Sequence, residues 1–338
     1  MARVLLLLAL VAALAACDAA EGGESAADGA EEEVTSLTIA EPVQSLGYLP
    51  LYVAEMEGLF AEEGLDVEIT TLAGGGHVDA LVSGQVWGFI GGPESGAVAN
   101  IQGADTVGIA NVVNRGNVYF TAVDGVEVPE GDLGAFLDGK TIAGGRFGGT
   151  PNAILRHILI EAGLDPDEDV TLTETEDSSA LLAVASRGDA EVAVTTEPQL
   201  GQGIDEGIWQ EPFLNVPAEL GPYAYSIIMV DREVVEEDRE TAQAFVNALV
   251  AAQRVVEDDP ERARELAGQW FPNVEADVIE ETLDRAYADG LWDSSLVTVE
   301  ATETALEIAR SGQILDDGDD PVDAAGIIDM GFVEEALR

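Results

Sequence analysis

Two stretches roughly a hundred residues apart repeat the same order of signals, and that repeat limits the possible folds more than any other feature of the chain. The first reads LTIAEPVQSLGYLPLYVAEMEGLFAEEGLDVEITT and then DALVSGQVWGFIGGPESG; the second reads KTIAGGRFGGTPNAILRHILIEAGLDPDEDVTLTE and then ALLAVASRGDAEVAVTTEPQ. Ile39-Ala40 answers Ile142-Ala143, Gly64-Leu65-Asp66 answers Gly163-Leu164-Asp165, Ser83-Gly84 answers Ser186-Arg187-Gly188, and Pro93-Glu94 answers Glu197-Pro198. Each half reads strand, loop, helix, strand, helix, strand. Across residues 48–60, Leu51, Ala54, Met56 and Leu59 fall at helical spacings, while Val67, Ile69 and Thr71 alternate as a strand does. Strand alternating with helix implies right-handed parallel βαβ units, so the expected fold class is α/β: two doubly wound lobes joined by a hinge, with a ligand cleft between them.

Ligands of open α/β sheets lie outside the carboxyl ends of the strands, where loops feed helix N-termini. This selects residues 43–48, 74–77 and 92–96 in the first half, and 145–152 and 195–199 in the second. The apolar runs 106–113 and 118–123, with Asn114-Arg115-Gly116 between them, and YSIIMV (225–230) read as three segments crossing a hinge. Residues 231–310 read as helical; in 241–256, Ala244, Phe245, Ala248, Leu249, Ala252, Val255 and Val256 share one face, and these helices are expected to pack back on the first lobe. The expected division is 37–116 with 231–338 for lobe 1, and 117–230 for lobe 2.

The amino-terminal MARVLLLLALVAALAA reads as a signal peptide (1–16), and Leu14-Ala15-Ala16-Cys17 has the form of a bacterial lipobox. Cys17 is the only cysteine, so it has no intramolecular disulfide partner; lipidation there would anchor the chain to the outside of the membrane. Residues 17–36 form an acidic linker of solvating composition. With 14 basic residues against 66 acidic ones, the formal charge is −52, which excludes nucleic acid as a partner. The acids recur on predicted helices such as DREVVEEDRE (231–240), and adaptation to high salt, where self-repulsion is screened, is the expectation they raise.

The stretch TIAGGRFGGTPNAILRHIL sets glycines before a helix without the Lys that a phosphate-binding loop requires; Gly148 and Gly149 permit close approach, Thr150 can cap, and Pro151 suits the first turn. Candidate ligand contacts are Gln44, Gly47 and Tyr48 from the first rim loop, Gly76 and His77 from the second, Glu94 and Ser95 from the third, Asn114 and Arg115 by the hinge, Gly149, Thr150 and Asn152 from the glycine turn, Thr196 and Glu197 from TTEP, and Tyr223 and Tyr225 before the last strand. A nearby Trp87 or Trp209 would add an aromatic face. Helix capping, core packing and pairing with acids are the competing roles for these side chains. Asp165, Asp167, Asp169 and Glu176 imitate a calcium loop, but Val170 stands where that loop needs glycine, and DDGDDPVD reads as hydrated; no metal and no cofactor are expected.

The segments LGYLPLYVAEMEGLFAEEGLDVEI, ALVSGQVWGFIGGPESGAVANIQGA, DGKTIAGGRFGGTPNAILRHILIEAGLDPDEDV and VAVTTEPQ resemble the nitrate/sulfonate/taurine and thiamine-pyrimidine-precursor family of ABC-transporter substrate-binding proteins, over residues 37–315. The resemblance implies a type II periplasmic-binding-protein fold, lobe closure over one small molecule, and delivery to a permease driven by a cytoplasmic ATPase, with the protein itself a monomer. The aromatic side chains lean toward a polar aromatic or heterocyclic ligand; a small anion such as a sulfonate, nitrate or bicarbonate is the alternative, and ligand presentation to a sensor kinase would use the same cleft. An enzyme is not expected. Two histidines and one cysteine supply neither a zinc site nor a nucleophile elbow, and the cysteine-rich segment used by the fungal pyrimidine synthase of this resemblance is absent.

Overall fold

Strand β1 (Thr35–Glu41) pairs in parallel with β2 (Leu65–Thr71) on one side and β3 (Gly88–Gly91) on the other. The chain continues through β4 (Thr106–Arg115), crosses at residues 116–118, and builds a second sheet from β5 (Tyr119–Ala122), β6 (Thr141–Gly145), β7 (Thr171–Thr175), β8 (Val192–Thr195) and β9 (Leu214–Asn215). It then returns as β10 (Pro222–Asp231). The sheet orders are β2-β1-β3-β10-β4 and β7-β6-β8-β5-β9. In each, three parallel strands meet an antiparallel fourth, β10 against β3 and β5 against β8, so the internal repeat is a repeat of sheet topology. The computed structural model describes residues 34–175, 178–316, 318 and 321–338; the expected signal peptide, Cys17, most of the acidic linker, Glu176 and part of DDGDDPVD lie outside the described residues.

Local chemistry sets the helix starts. The expected helix over 48–60 divides into a short 3-10 turn, Leu46–Tyr48, and the helices Leu49–Met56 and Leu59–Glu62, because Gly58 takes a left-handed φ of 73° between them. The helix Thr150–Glu161 opens with Pro151 in its first turn. Its N-cap is Gly149, so the expected capping by Thr150 does not occur and that hydroxyl is free for another partner. Successive strand residues face opposite layers. Ile142 and Val194 join the large core, whereas Ala143 and Ala193 face a second cluster with Leu181, Leu200 and Trp209.

Two expectations about lobe boundaries change. Strand β10 does not end the second lobe at residue 230; it inserts between β3 and β4 of the first sheet, and the second lobe closes through the short helix Val216–Leu220. An apolar run such as YSIIMV suits the buried middle of either sheet, and only the partner strands decide which. The C-terminal helices also divide their contacts. Arg239–Asp258 and Pro260–Trp270 cover the first lobe, with Phe245 stacked on Phe60 at 5.0 Å and Trp270 on Tyr52 at 4.4 Å. Ala276–Asp289 and Val299–Ser311 bridge to the second lobe. There Asp289 accepts from Tyr119 Oη at 2.8 Å and Asn215 Nδ2 at 2.8 Å, and Arg156 donates to the Gly312 carbonyl at 2.8 Å.

The firmest bridge is Arg285 Nε to Glu197 at 3.0 Å, with Thr282 Oγ1 and the Gly201 N–H also donating to that carboxylate. Glu197 is 2% exposed, so removing the guanidinium strands a buried charge. Arg285→Ala should therefore destabilise the fold by about 3 kcal/mol, read as a lowered urea midpoint, and Glu197→Gln in that background should recover part of the loss.

Candidate functional site

The rim loops of the two sheets face one another and enclose a cavity of about 130 Å³. A cavity of roughly 150 Å³ holds one benzene molecule, so the space suits a single small solute. From the first lobe it is lined by Pro42, Val43, Ser45, Tyr48, Gly74, His77, Gly91, Gly92 and Ser95, with Tyr225 and Ser226 from β10. From the second come Gly145, Arg146, Gly148, Gly149, Thr150, Pro151, Thr175, Leu181, Val194, Thr195 and Thr196. The β10–β4 register shifts on both sides of Ser226, a bulge that turns the chain beside the cavity.

Two hydrogen bonds close the lobes over this space. Ser45 Oγ donates to the Glu197 carbonyl at 3.3 Å, and Thr150 Oγ1 donates to the Glu94 carboxylate. Glu94 is fully buried in the first turn of the helix Pro93–Ile101, against Gly92, and its second oxygen has no partner among the described residues. Burial pushes its carboxyl up to about 7, against the lowering effect of the Thr150 bond. Burial first, then the Arg146 guanidinium, push the His77 imidazole down to about 4, so His77 is neutral over the physiological range. A backbone hydrogen bond with Leu72 acts against that lowering.

Of the residues singled out from sequence, Tyr48, His77, Ser95, Gly149, Thr150, Thr196 and Tyr225 line the cavity. Glu94 lies behind Thr150, and Tyr223 is buried beside Tyr225, its ring centroid 6.3 Å away. Gln44, Gly47 and Gly76 belong to rim loops but do not line the cavity; Gly47 instead accepts from Trp292 Nε1 at 2.9 Å. Asn152 turns inward and donates to the Gly145 carbonyl at 2.9 Å, bracing the glycine turn. Asn114 and Arg115 sit at the end of β4, where Arg115 pairs with Asp293 at 3.1 Å. The Glu197 side chain points to Arg285 and the helix behind it. Trp87 packs on Phe245 and Trp209 on Gly203, both away from the cavity. Asp167, from the calcium-loop imitation, is held by Arg156 at 2.8 Å, and no group of three metal-ligating side chains occurs among the described residues. Arg146 was not singled out; its signal was a lone cation inside a selected glycine loop.

Two wound lobes that meet on one small cavity, with hydroxyls, tyrosines and helix N-termini around it, form the two-lobe architecture of the periplasmic-binding-protein fold. The chain belongs to the family described as NMT1/THI5 like, whose model matches residues 46–263. It is 29% identical over 259 residues to YtlA of Bacillus subtilis (strain 168), a candidate binding protein by its name, covering 75% of this chain and 76% of that one. Its fold is that of the alkanesulfonate-binding protein SsuA from Xanthomonas axonopodis pv. citri bound to MOPS, with a TM-score of 0.72 and 18% identity, covering 88% of this chain and 99% of that one. It matches the periplasmic nitrate-binding protein NrtA from Synechocystis PCC 6803 equally well, with a TM-score of 0.72 and 17% identity over 90% of this chain and 89% of that one.

The buried carboxyl sets a pH dependence. Unfolded, Glu94 releases its proton near 4.5; folded, it keeps it to about 7, a difference worth on the order of 3 kcal/mol. The folded state binds the extra proton, so this contribution is complete below 4.5 and is lost as pH rises through 7. Glu94→Gln should flatten the corresponding fall in Tm between about pH 5 and pH 8, measured by scanning calorimetry at constant salt.

Proposed function

We propose that the protein is the lipid-anchored, extracytoplasmic solute-binding component of an ABC importer, acting as a monomer that captures a small solute between its lobes and presents the closed form to a permease. The observation that carries this reading is the cavity itself, lined by the carboxyl-end loops of both sheets and closed by the Ser45–Glu197 and Thr150–Glu94 bonds. A solute touching both rims stabilises closure by its differential affinity for that form. The size of the cavity and the tyrosines 48 and 225 on its wall favour a flat, polar, benzene-sized body, such as a heterocycle, whose edge meets the hydroxyls of Ser95, Thr150 and Thr196. The sulfonate- and nitrate-binding neighbours favour a ligand with an acidic group, and the two features are compatible in one molecule.

The acidic exposed faces, such as Glu236, Glu237, Asp238 and Glu240, support a role in a saline exterior. The lipobox of the sequence supports attachment through Cys17.

Native mass spectrometry of freshly purified protein should show a retained small molecule, and Ser95→Ala, which removes a hydroxyl on the cavity wall, should weaken its binding about tenfold with little change in Tm. Equal affinity in that variant would place the site elsewhere. Asn152→Ala, by contrast, should lower Tm, since Asn152 braces the loop and does not face the cavity. In cells, Cys17→Ser should move the protein from the membrane fraction to the medium or periplasm; unchanged membrane retention would refute the anchor.

A further inference from the structure

The contact between Glu94 and Thr150 divides two spaces. Glu94 lines the larger groove outside the cleft, the Thr150 hydroxyl that donates to it lines the inner cavity, and Ser95, one residue on, lines both. Glu94 belongs to the first lobe and Thr150 to the second, so parting the lobes breaks their bond and joins the two spaces. Water then reaches a carboxyl that is 1% exposed in the closed form. The closed site is fitted to this side chain: a Cβ on Gly92 would run into both carboxylate oxygens, so glycine there lets the acid fold back on the start of its own helix.

The groups around Glu94 give it no counter-charge. Tyr48 from the first rim and Tyr223 and Tyr225 from β10 face it, and burial pushes all three phenols above their ordinary range, which keeps them neutral. Asp79, Asp105, Arg146, Asp231 and Glu233 share the outer groove with it, and His77 lines the inner cavity. Among the described residues its one side-chain partner is still Thr150. The other buried acids keep their surroundings when the lobes part. Glu41 is held by Tyr52 and Thr71 within the first lobe, and Glu197 carries its own cation, Arg285.

We propose that the Glu94–Thr150 contact is a proton-operated latch: the lobes close with Glu94 protonated and part when it ionises, so closing over a solute takes up a proton. This rests on the reading of two lobes that close on a solute and adds the ion coupled to that closure. It concerns two folded forms, not folded against unfolded chain. In the closed form burial holds the carboxyl up to about 7, and in the open form, hydrated, it titrates near 4.5, so the closed form binds the proton more tightly. The gain for closure is complete below 4.5 and gone above 7. Across pH 5 to pH 8 this amounts to a fall of about fiftyfold in the closed-to-open ratio.

The test is single-molecule energy transfer between dyes on Glu68→Cys in the first lobe and Arg187→Cys in the second, both exposed, in the mature chain carrying Cys17→Ser, at constant salt and without added solute. Wild type should show a closed and an open population whose ratio falls about fiftyfold from pH 5 to pH 8. Glu94→Gln, neutral at every pH and still able to accept from Thr150, should hold one ratio throughout. Thr150→Val, which removes the hydroxyl, should enlarge the open population at both pH values. The proposal is overturned if the wild-type ratio is indifferent to pH, or if Glu94→Gln follows the wild-type curve. A Tm that falls with pH while the ratio stays fixed assigns Glu94 to folding alone and overturns it too. Where both populations occur but pH does not move them, closure stands and the proton coupling fails. Where no variant shows a second population at any pH, the closure reading fails with it.

Discussion

Parallel pairing is the constraint from which the rest of the molecule follows. Because β1, β2 and β3 run in one direction, and β6, β7 and β8 likewise, every connecting loop that leads into a helix emerges at the same edge of its sheet. Those edges meet across the cavity. The polar character of the site is thus supplied mainly by backbone, through amides at helix starts and hydroxyls on the first turns, and not by a set of charged side chains. This suits a receptor, which must release what it binds.

The buried acids show how differently one chemistry can be used. Glu41 accepts from Tyr52 Oη at 2.6 Å and Thr71 Oγ1 at 2.8 Å and stabilises the first strand's end. Glu197 is neutralised by Arg285 and serves as a joint between the second lobe and a C-terminal helix. Glu94, like Glu41, has no cation beside it, but its single hydroxyl partner comes from the opposite lobe. Desolvation without a counter-charge favours a protonated carboxyl.

The repeat was legible because βαβ alternation writes two distinct periods into the chain, and the rims followed from strand polarity alone. What stayed hidden was decided by distant partners. YSIIMV is equally apolar in either sheet, and only its neighbours β3 and β4 assign it. Asn152 and Glu197 stand at rim positions by spacing, yet the Gly145 carbonyl draws one away and Arg285, from a helix later in the chain, the other. Tyr48, Ser95 and Thr150 are short reaches from backbone that strand polarity already located, which explains why they lie on the cavity wall. Arg146 was concealed by its glycine context, where backbone freedom draws attention and a single charge does not.

The bridging helices carry a consequence for how this architecture is divided. Tyr119, Arg156 and Glu197 are all interior to the folded protein, and each finds its polar partner on residues 282–313. Excised by itself, the second winding would leave the Tyr119 phenol and the Glu197 carboxylate without their side-chain partners on a newly bared surface, while Arg156 would keep only Asp167. The two halves repeat one sheet topology, but they are not self-sufficient modules: the helices after β10 complete both.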